Sequence, residues 1–349
     1  MWEREQVAPV ALRAYFGANA WEAMTMTLNR RAVLGTALAT PALGAAFAQA
    51  PWAPTRPVRI VVPFQGGGAT DLTARLFAER MTPLLGQPVV VDNRPGAGGN
   101  LGAELVAKAD PDGHTLLMCT IGTASINQFL YSRMPFRQDE LAAVALANLV
   151  ANAIIVNPSV PARTFAEFLA YAKANPGKLN YGTPGNGTSG HLSGEYLKVR
   201  AGIDLTHVPY RGTGGVVPDL LAGNLQVAVD NLPAYLPHVR EGRMRMLAVT
   251  SKERWFAMPD VPTVIEGGVA GFEAVAWFGV QAPARVPAPI LARYASIIED
   301  LSRDPQVIAR QRDFGAEPYF LGPQAFEAFI RAENEKWREV VRLAGAKLD

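Results

Sequence analysis

Apolar positions along this chain follow two alternating rhythms. Val58–Val62 (VRIVV) is a short continuous apolar run, ended by Pro63 and the glycines Gly66, Gly67 and Gly68. Beyond them Leu72, Leu76, Phe77, Leu84 and Leu85 recur at helical spacing. The pattern predicts a buried strand, a glycine loop and a helix. The same succession returns with a strand at residues 88–92, a loop at 93–100 and a helix at about 101–109. A third strand, 114–120, ends in a polar loop at 120–127, and the long apolar run 144–157 reads as extended. A helix follows at 164–175, with Thr164 as its cap. Next come a strand at 179–182, a glycine loop at 183–190 and a helix at about 191–200. Residues 205–209 form a strand, 210–215 another such loop, 216–222 a helix and 225–230 a strand. Residues 245–250 read as a returning strand, 259–271 as loop and 277–282 as strand. Two helices, Ala288–Arg303 and Pro323–Ala344, close the chain.

Strands that alternate with helices through short turns predict a parallel, doubly wound α/β sheet. The units fall into one batch before about residue 148 and a second between about 150 and 245, and the remainder returns to the first. Two lobes joined by a two-crossing hinge are therefore expected, with residues 51–148 and 249–349 in lobe 1 and residues 149–248 in lobe 2. Ligands of such sheets collect beyond the carboxyl ends of the strands, where the polar and glycine-rich loops lie. The free N–H groups of a helix start favour an anion. Residues 66–70, facing residues 183–189 across a cleft, are thus predicted to hold a negatively charged small molecule. A glycine-rich turn that binds nothing is the competing reading.

Composition narrows the classes. The chain has 349 residues and a net charge of +2, with basic and acidic residues interspersed, so no nucleic-acid footprint is present. Four scattered histidines and one cysteine exclude a structural zinc site and a disulfide framework. Residues 26–50 have a basic start (Arg30, Arg31), an apolar stretch and a small-residue end, Ala46-Phe47-Ala48. That is a secretory signal peptide at about residues 26–48, preceded by an upstream extension, and it predicts an exported, soluble protein. The run is too short and too rich in Ala, Gly and Thr for a membrane anchor.

Individual motifs divide by geometry. Residues 185–190 (GNGTSG) match G-x-G-x-x-G with Asp204 downstream, which leaves a dinucleotide enzyme as a cross-class alternative. The strand before it is short and polar, and Asp204 precedes the next strand instead of ending it. Ser189 is no nucleophile elbow, because His191 stands where glycine is required. His191 and Glu195 share a helix face without a third metal ligand, so packing or hydrogen bonding is expected and no metal is predicted. Asp71 is expected as a cap or dipole partner, and Asp71 or Asp230 would accept a donor on the ligand. Arg211 is the candidate charge partner of a carboxylate, with an ion pair as the other reading. No general acid, base and nucleophile assemble, so neither catalytic residues nor a cofactor are predicted.

The segments PFQGGGATD (from Pro63), VDNRPGAGGNLGAE (from Val91), YGTPGNGTSGHLSGE (from Tyr181), HVPYRGTGG (from His207), DNLP (from Asp230) and PDVPTVIEGG (from Pro259) occur in that order. In them the chain resembles the Bug, or TctC-like, family: extracytoplasmic solute-binding receptors of tripartite tricarboxylate transporters. The likeness runs from about Pro57 to Asp349. It implies the periplasm as the destination of export, and a type II periplasmic-binding-protein fold closing on a small carboxylate: a di- or tricarboxylic acid, an amino acid, an aromatic acid or a nicotinate-like molecule. It also implies that backbone and hydroxyl groups of two loops hold the ligand. Those loops match Phe64, Gly67, Gly68, Ala69, Thr70 and Asp71 in one case and Thr183, Gly185, Asn186, Gly187 and Thr188 in the other. Tyr210 and Asp230 line the cleft in the same resemblance. Thr120, His191 and Arg211 complete the expected set. The chain departs from the family at Gly66, where proline is usual. The expected partners are the large and small membrane permease subunits, engaged transiently by a monomer. A ligand sensor for a signalling partner is the alternative within the binding class.

Overall fold

The computed structural model describes residues 52–348, so the predicted signal peptide lies outside the described residues. In chain order the elements are β1 (Val58–Val62), α1 (Ala69–Leu85), β2 (Val89–Asn93), α2 (Asn100–Ala107) and β3 (Thr115–Thr120). A π-helical turn, Gly122–Ile126, runs into α3 (Asn127–Leu130). Then come β4 (Leu141–Val156), α4 (Phe165–Ala174), β5 (Asn180–Thr183), α5 (Ser189–Ala201), β6 (Thr206–Pro209) and α6 (Thr213–Ala222). The chain continues through β7 (Val227–Asn231), α7 (Leu236–Arg240), β8 (Arg245–Val249) and β9 (Val275–Pro283). It ends with α8 (Ala288–Arg303), α9 (Pro305–Asp313), β10 (Glu317–Leu321) and α10 (Pro323–Ala344). Among the described residues no helix is long and apolar enough to cross a membrane.

Strand β4 organises the sheet. Its first part, Leu141 to Ala151, pairs with β9, and β10 lies on its other side. From Asn152 onward it pairs with β7 and β8 instead. One half of the sheet therefore runs β2-β1-β3-β9-β4 and the other β6-β5-β7-β4-β8. Each half has three parallel strands followed by an antiparallel one that has come from the other half. These are the two doubly wound lobes of a type II periplasmic-binding-protein fold. Parallel strands covered on both faces read as continuous apolar runs, which is why VRIVV lacks alternation and why Val58, Ile60, Val61 and Val62 are fully buried. Separate apolar cores fill the lobes, one around Phe77, Met118 and Ile298, the other around Leu220, Tyr235 and Met246.

The second crossing lies against the first. Thr250, just after β8, donates its N–H to the carbonyl of Asn152 at 2.9 Å, and the N–H of Ala274 returns to Thr250 at 3.0 Å. Helix α10 packs on β4 and on the π-helical turn and also reaches α5 in lobe 2. It is anchored by the buried Glu333, whose Oε2 accepts the indole N–H groups of Trp277 (2.9 Å) and Trp337 (3.1 Å).

Three expectations are corrected. The stretch 120–127, read as a loop, is helical from Gly122. Helix α9 and strand β10 were not anticipated. Helix α9 starts at Pro305 behind Asp304, whose side chain accepts the N–H of Gln306 at 2.8 Å, a cap-plus-proline start. Strand β10 contains Pro318, which demotes a run in sequence reading; it is tolerated because β10 pairs only with β4, as an edge. Replacing Glu333 by Leu is expected to destabilise the fold by about 2–4 kcal/mol, since two buried indole donors lose their acceptor. Urea unfolding of Glu333→Leu against Glu333→Gln, which keeps one acceptor, measures this.

Candidate ligand-binding site

Three helix starts converge where the lobes meet. Helix α1 begins after Gly68, an extended residue that supplies no side-chain cap, and α6 begins after Gly212, also without one. Their first N–H groups therefore remain available as donors. Helix α5 is capped by Thr188, whose hydroxyl accepts the N–H of His191 at 3.3 Å and donates to the carbonyl of Gly185 at 2.7 Å. Between the three starts lies a cavity of about 30 Å³, room for roughly two waters. Phe64, Gln65, Gly68, Ala69, Thr70 and Asp71 form one wall, with Thr120, Ile121, Ala276 and Phe278 beneath. Pro184, Thr188, Ser189, Thr213 and Asn231 form the opposite wall. A second cavity, about 360 Å³, opens outward along the seam. Phe64 and Pro184 border both cavities, and the outer one also holds Gly185, Asn186, Tyr210 and Arg211.

Several expected residues shape the loops from behind. The Asp71 carboxylate accepts the N–H of Gly67 (3.0 Å), Nε of Arg75 (2.9 Å) and Nδ2 of Asn93 (3.0 Å). Asn93 also holds the carbonyl of Phe64 at 3.0 Å. Burial alone would raise the Asp71 carboxyl, but these hydrogen bonds outweigh it and hold it below the usual range. Asp71 is thus a fastening for the glycine loop, although it also borders the inner cavity. Thr183 is buried and pairs its hydroxyl with Nε2 of His207 at 2.7 Å. His191 accepts the N–H of Gly187 on Nδ1 at 3.2 Å and stacks on His207, with ring centroids 4.4 Å apart. That acceptor role places the proton of the neutral His191 ring on Nε2. Burial, reinforced by Lys198 and opposed by Glu195, lowers His191 to about 4. Burial and its two positive-going neighbours lower His207 to about 3. Glu195 receives the Tyr181 hydroxyl and Lys198, so it is engaged away from any metal pair with His191. Among the described residues no three His, Cys, Asp or Glu side chains could share a metal ion.

Asp230 stands one layer behind the inner cavity. It is fully buried and accepts the N–H of Asn231 (2.6 Å), the Tyr235 hydroxyl (2.9 Å) and the hydroxyl of Thr213, which faces the cavity. Burial raises its carboxyl to about 7, with these hydrogen bonds opposing the rise. Tyr210 donates its hydroxyl to Asp219 at 2.6 Å. The exposed Arg211 offers its carbonyl to the N–H of Gln65 at 3.1 Å, a bond between the lobes. The dinucleotide geometry is absent: Asp204 sits beside Gly177, at the end of β5 opposite the glycine loop.

Sequence reasoning placed Pro184 and Ser189 within the facing loop 183–189 without naming them individually, and did not single out Gln65, Ile121, Thr213, Asn231, Ala276 or Phe278. Gln65, Pro184, Ser189 and Thr213 lie within or beside loops that the glycine pattern marks, whereas Ile121 and Asn231 stand at the ends of β3 and β7. Ala276 and Phe278 carry no local signal, since they reach the cavity only through the return of β9 between β3 and β4.

The lobes meet backbone to backbone. A Cβ on Gly98 (φ +61°) would stand 2.1 Å from the carbonyl oxygen of Asn186, and one on Gly122 would stand 2.7 Å from that of Gly187. Gly98→Ala is therefore expected to hold the lobes apart and to raise the radius of gyration in small-angle scattering. Gly86→Ala has a similar φ of +69° and no neighbour within 4 Å, so it carries the left-handed strain alone and should leave the radius unchanged.

A carboxyl raised on folding stabilises the fold below its unfolded pKa and loses that contribution as pH rises through the folded value. For Asp230 the window runs from 3.8 to about 7. The two histidines act oppositely, losing stability as pH falls below 6.5, equally in wild type and variant. The melting temperature of Asp230→Asn relative to wild type should therefore climb from about pH 4 to about pH 7 and level off above. A flat difference would mean that Asp230 stays ionised throughout.

Residues 73–345 match the family described as "Tripartite tricarboxylate transporter family receptor". Protein BugT of Bordetella pertussis is 35% identical over 319 residues, covering 91% of this chain and 98% of BugT. The solved structure of R. palustris Rpa4515 with adipate superposes with a TM-score of 0.82 at 37% identity, covering 84% of this chain and 99% of that one. MatC (Rpa3494) from Rhodopseudomonas palustris with bound malate superposes with a TM-score of 0.78 at 33% identity, covering 82% and 99%. The fold, the site at the lobe seam and these likenesses agree: the chain belongs to the tripartite tricarboxylate transporter receptor family and is a solute receptor, not an enzyme.

Proposed function

We propose that the protein captures a small carboxylate at the lobe seam, with its carboxylate group in the inner cavity and its remainder toward the outer one, and presents it to the permease subunits of a tripartite transporter. The observation that carries this reading is the meeting of two helix starts without side-chain caps, α1 and α6, at one small enclosed space rimmed by hydroxyls. A helix start contributes about 0.3–2 kcal/mol toward an anion. A hydrogen bond to a charged group contributes about 1.5–3 kcal/mol. A micromolar complex requires about 8 kcal/mol, so a few contacts from each lobe suffice. In this reading Gly68, Ala69, Thr70, Thr120, Thr188, Ser189 and Thr213 touch the carboxylate. Phe64, Pro184, Tyr210 and Arg211 meet the rest of the ligand, and Asp71, Thr183, Gly187, His191 and Asp230 hold the loops in shape. Adipate and malate in the relatives support a carboxylate with a second acidic end as the first class to test.

Residues 26–48 direct export to the periplasm and are removed. Residues 51–148 with 249–349 move against residues 149–248 about the paired crossings. The receptor acts as a monomer that docks on its permease transiently.

A thermal-shift screen against mono-, di- and tricarboxylates, amino acids, aromatic acids and NAD(P) tests the reading. A carboxylate at a hundredfold excess over its dissociation constant should stabilise the protein by about 2.7 kcal/mol. The gain should vanish in Gly68→Val, whose Cβ would meet Thr213 Oγ1 at 2.9 Å. A shift with NAD(P) and none with carboxylates would overturn the assignment.

A further inference from the structure

Asn152 occupies the point where β4 leaves one half of the sheet for the other: Ala151 still pairs with Val275 of β9, whereas Asn152 pairs with Asn231 of β7. Its main-chain carbonyl accepts the N–H of Thr250 at 2.9 Å, so it touches the second crossing as well. Its side chain points to the cleft wall. Oδ1 accepts the hydroxyl of Ser189 at 3.0 Å and Nδ2 of Asn231 at 2.7 Å, and both of those residues border the inner cavity. Asn152 is fully buried, and its own Nδ2 has no partner among the described residues. An apolar residue would fill a strand interior without stranding a donor, so the asparagine answers to its acceptor, not to packing.

Ser189 is the first residue of α5, and the loop just before it closes the cleft. The carbonyls of Asn186 and Gly187 face Gly98 and Gly122 of the other lobe across the seam. We infer that Asn152 is the positioning residue that ties the closing loop of lobe 2 to the hinge, so that the start of α5, the end of β7 and both crossings move as one unit. The backbone ladder already holds the hinge to β7; without the side-chain tie the start of α5 is set less firmly against that unit, and the two backbones arrive in register less often. The inference rests on the receptor reading for the meaning of closure, but its measurement needs no bound carboxylate. Its failure would leave that reading standing, and a silent ligand screen would leave this test intact.

The test uses the full chain with fluorophores on Glu79→Cys and Lys173→Cys, exposed residues of α1 and α4 in opposite lobes. The native Cys119 is buried and stays unlabelled. Single-molecule energy transfer then reads the inter-lobe distance distribution without added carboxylate. Asn152→Ala should lower the ratio of closed to open molecules by about two- to tenfold, the range spanned by one hydrogen bond. Asn152→Asp retains the acceptor and should restore the wild-type distribution. A residue that merely supports the fold would lower the melting temperature and leave the distribution of folded molecules unmoved. That result, or failure of a folded Asn152→Asp to restore it, overturns the proposal. If Asn152→Ala does not fold, Ser189→Ala carries the same test by removing one donor, and an unshifted distribution there overturns it equally.

Discussion

The backbone hydrogen bonding of one strand governs this molecule. The 16 residues of β4 give their first part to one half of the sheet and their last five to the other. Each half needs this exchange. Three parallel strands alone would leave an open edge in each lobe, and in both cases the strand that covers it belongs to a segment crossing over. The two crossings are therefore structural members of both sheets, and they are bonded to each other through Thr250 and Asn152. Neither lobe is complete on its own stretch of chain.

That arrangement decides where function can reside. All six parallel strands point their carboxyl ends at the seam, which brings the starts of α1, α5 and α6 to one place. The donors there are main-chain groups, fixed by the fold and indifferent to side-chain chemistry. Neither carboxylate here is left bare: Asp71 borders the inner cavity with its oxygens engaged, and Asp230 stands one layer back. Asp71 is absorbed by Gly67, Arg75 and Asn93, and Asp230 by Asn231, Tyr235 and Thr213. A carboxylate would thus meet N–H and O–H donors at the wall and no bare anion.

The legibility of this design in the sequence tracks how local each feature is. The strand-loop-helix units were readable because Val58–Val62, the glycines after them and the helical spacing from Leu72 onward all lie within one stretch. The lobe order was readable because the units come in batches. Strand β10 escaped because Pro318 argues against a strand unless one knows that β4 has a free side. The π-helical turn escaped because Gly122, Thr123 and Ser125 read as polar loop, although all are buried in the structure. In the site, the glycine loops announced themselves through the backbone freedom they require. Ala276 and Phe278 did not, because nothing nearby in the chain says that β9 will pass beneath the cavity. Asp71 and Asp230 were recognised by type, but what engages their carboxylates, Asn93 and Tyr235, is distant or unremarkable in sequence.

The glycine seam has a consequence for how such a protein tolerates change. Where Gly98 faces Asn186 and Gly122 faces Gly187, the surfaces that close are peptide planes, not side chains. Substitutions over most of the lobe faces leave that fit alone, because few side chains take part in it, Asn127 and Tyr131 beside Gly187 and Gly98 being the main ones. The complementarity is inherited with the backbone, and a descendant sequence can drift widely in the lining of the outer cavity while the way the two lobes shut stays the same. Adaptation to a new solute is thereby uncoupled from the mechanics of enclosure, with a few glycines as the points at which the two cannot be separated.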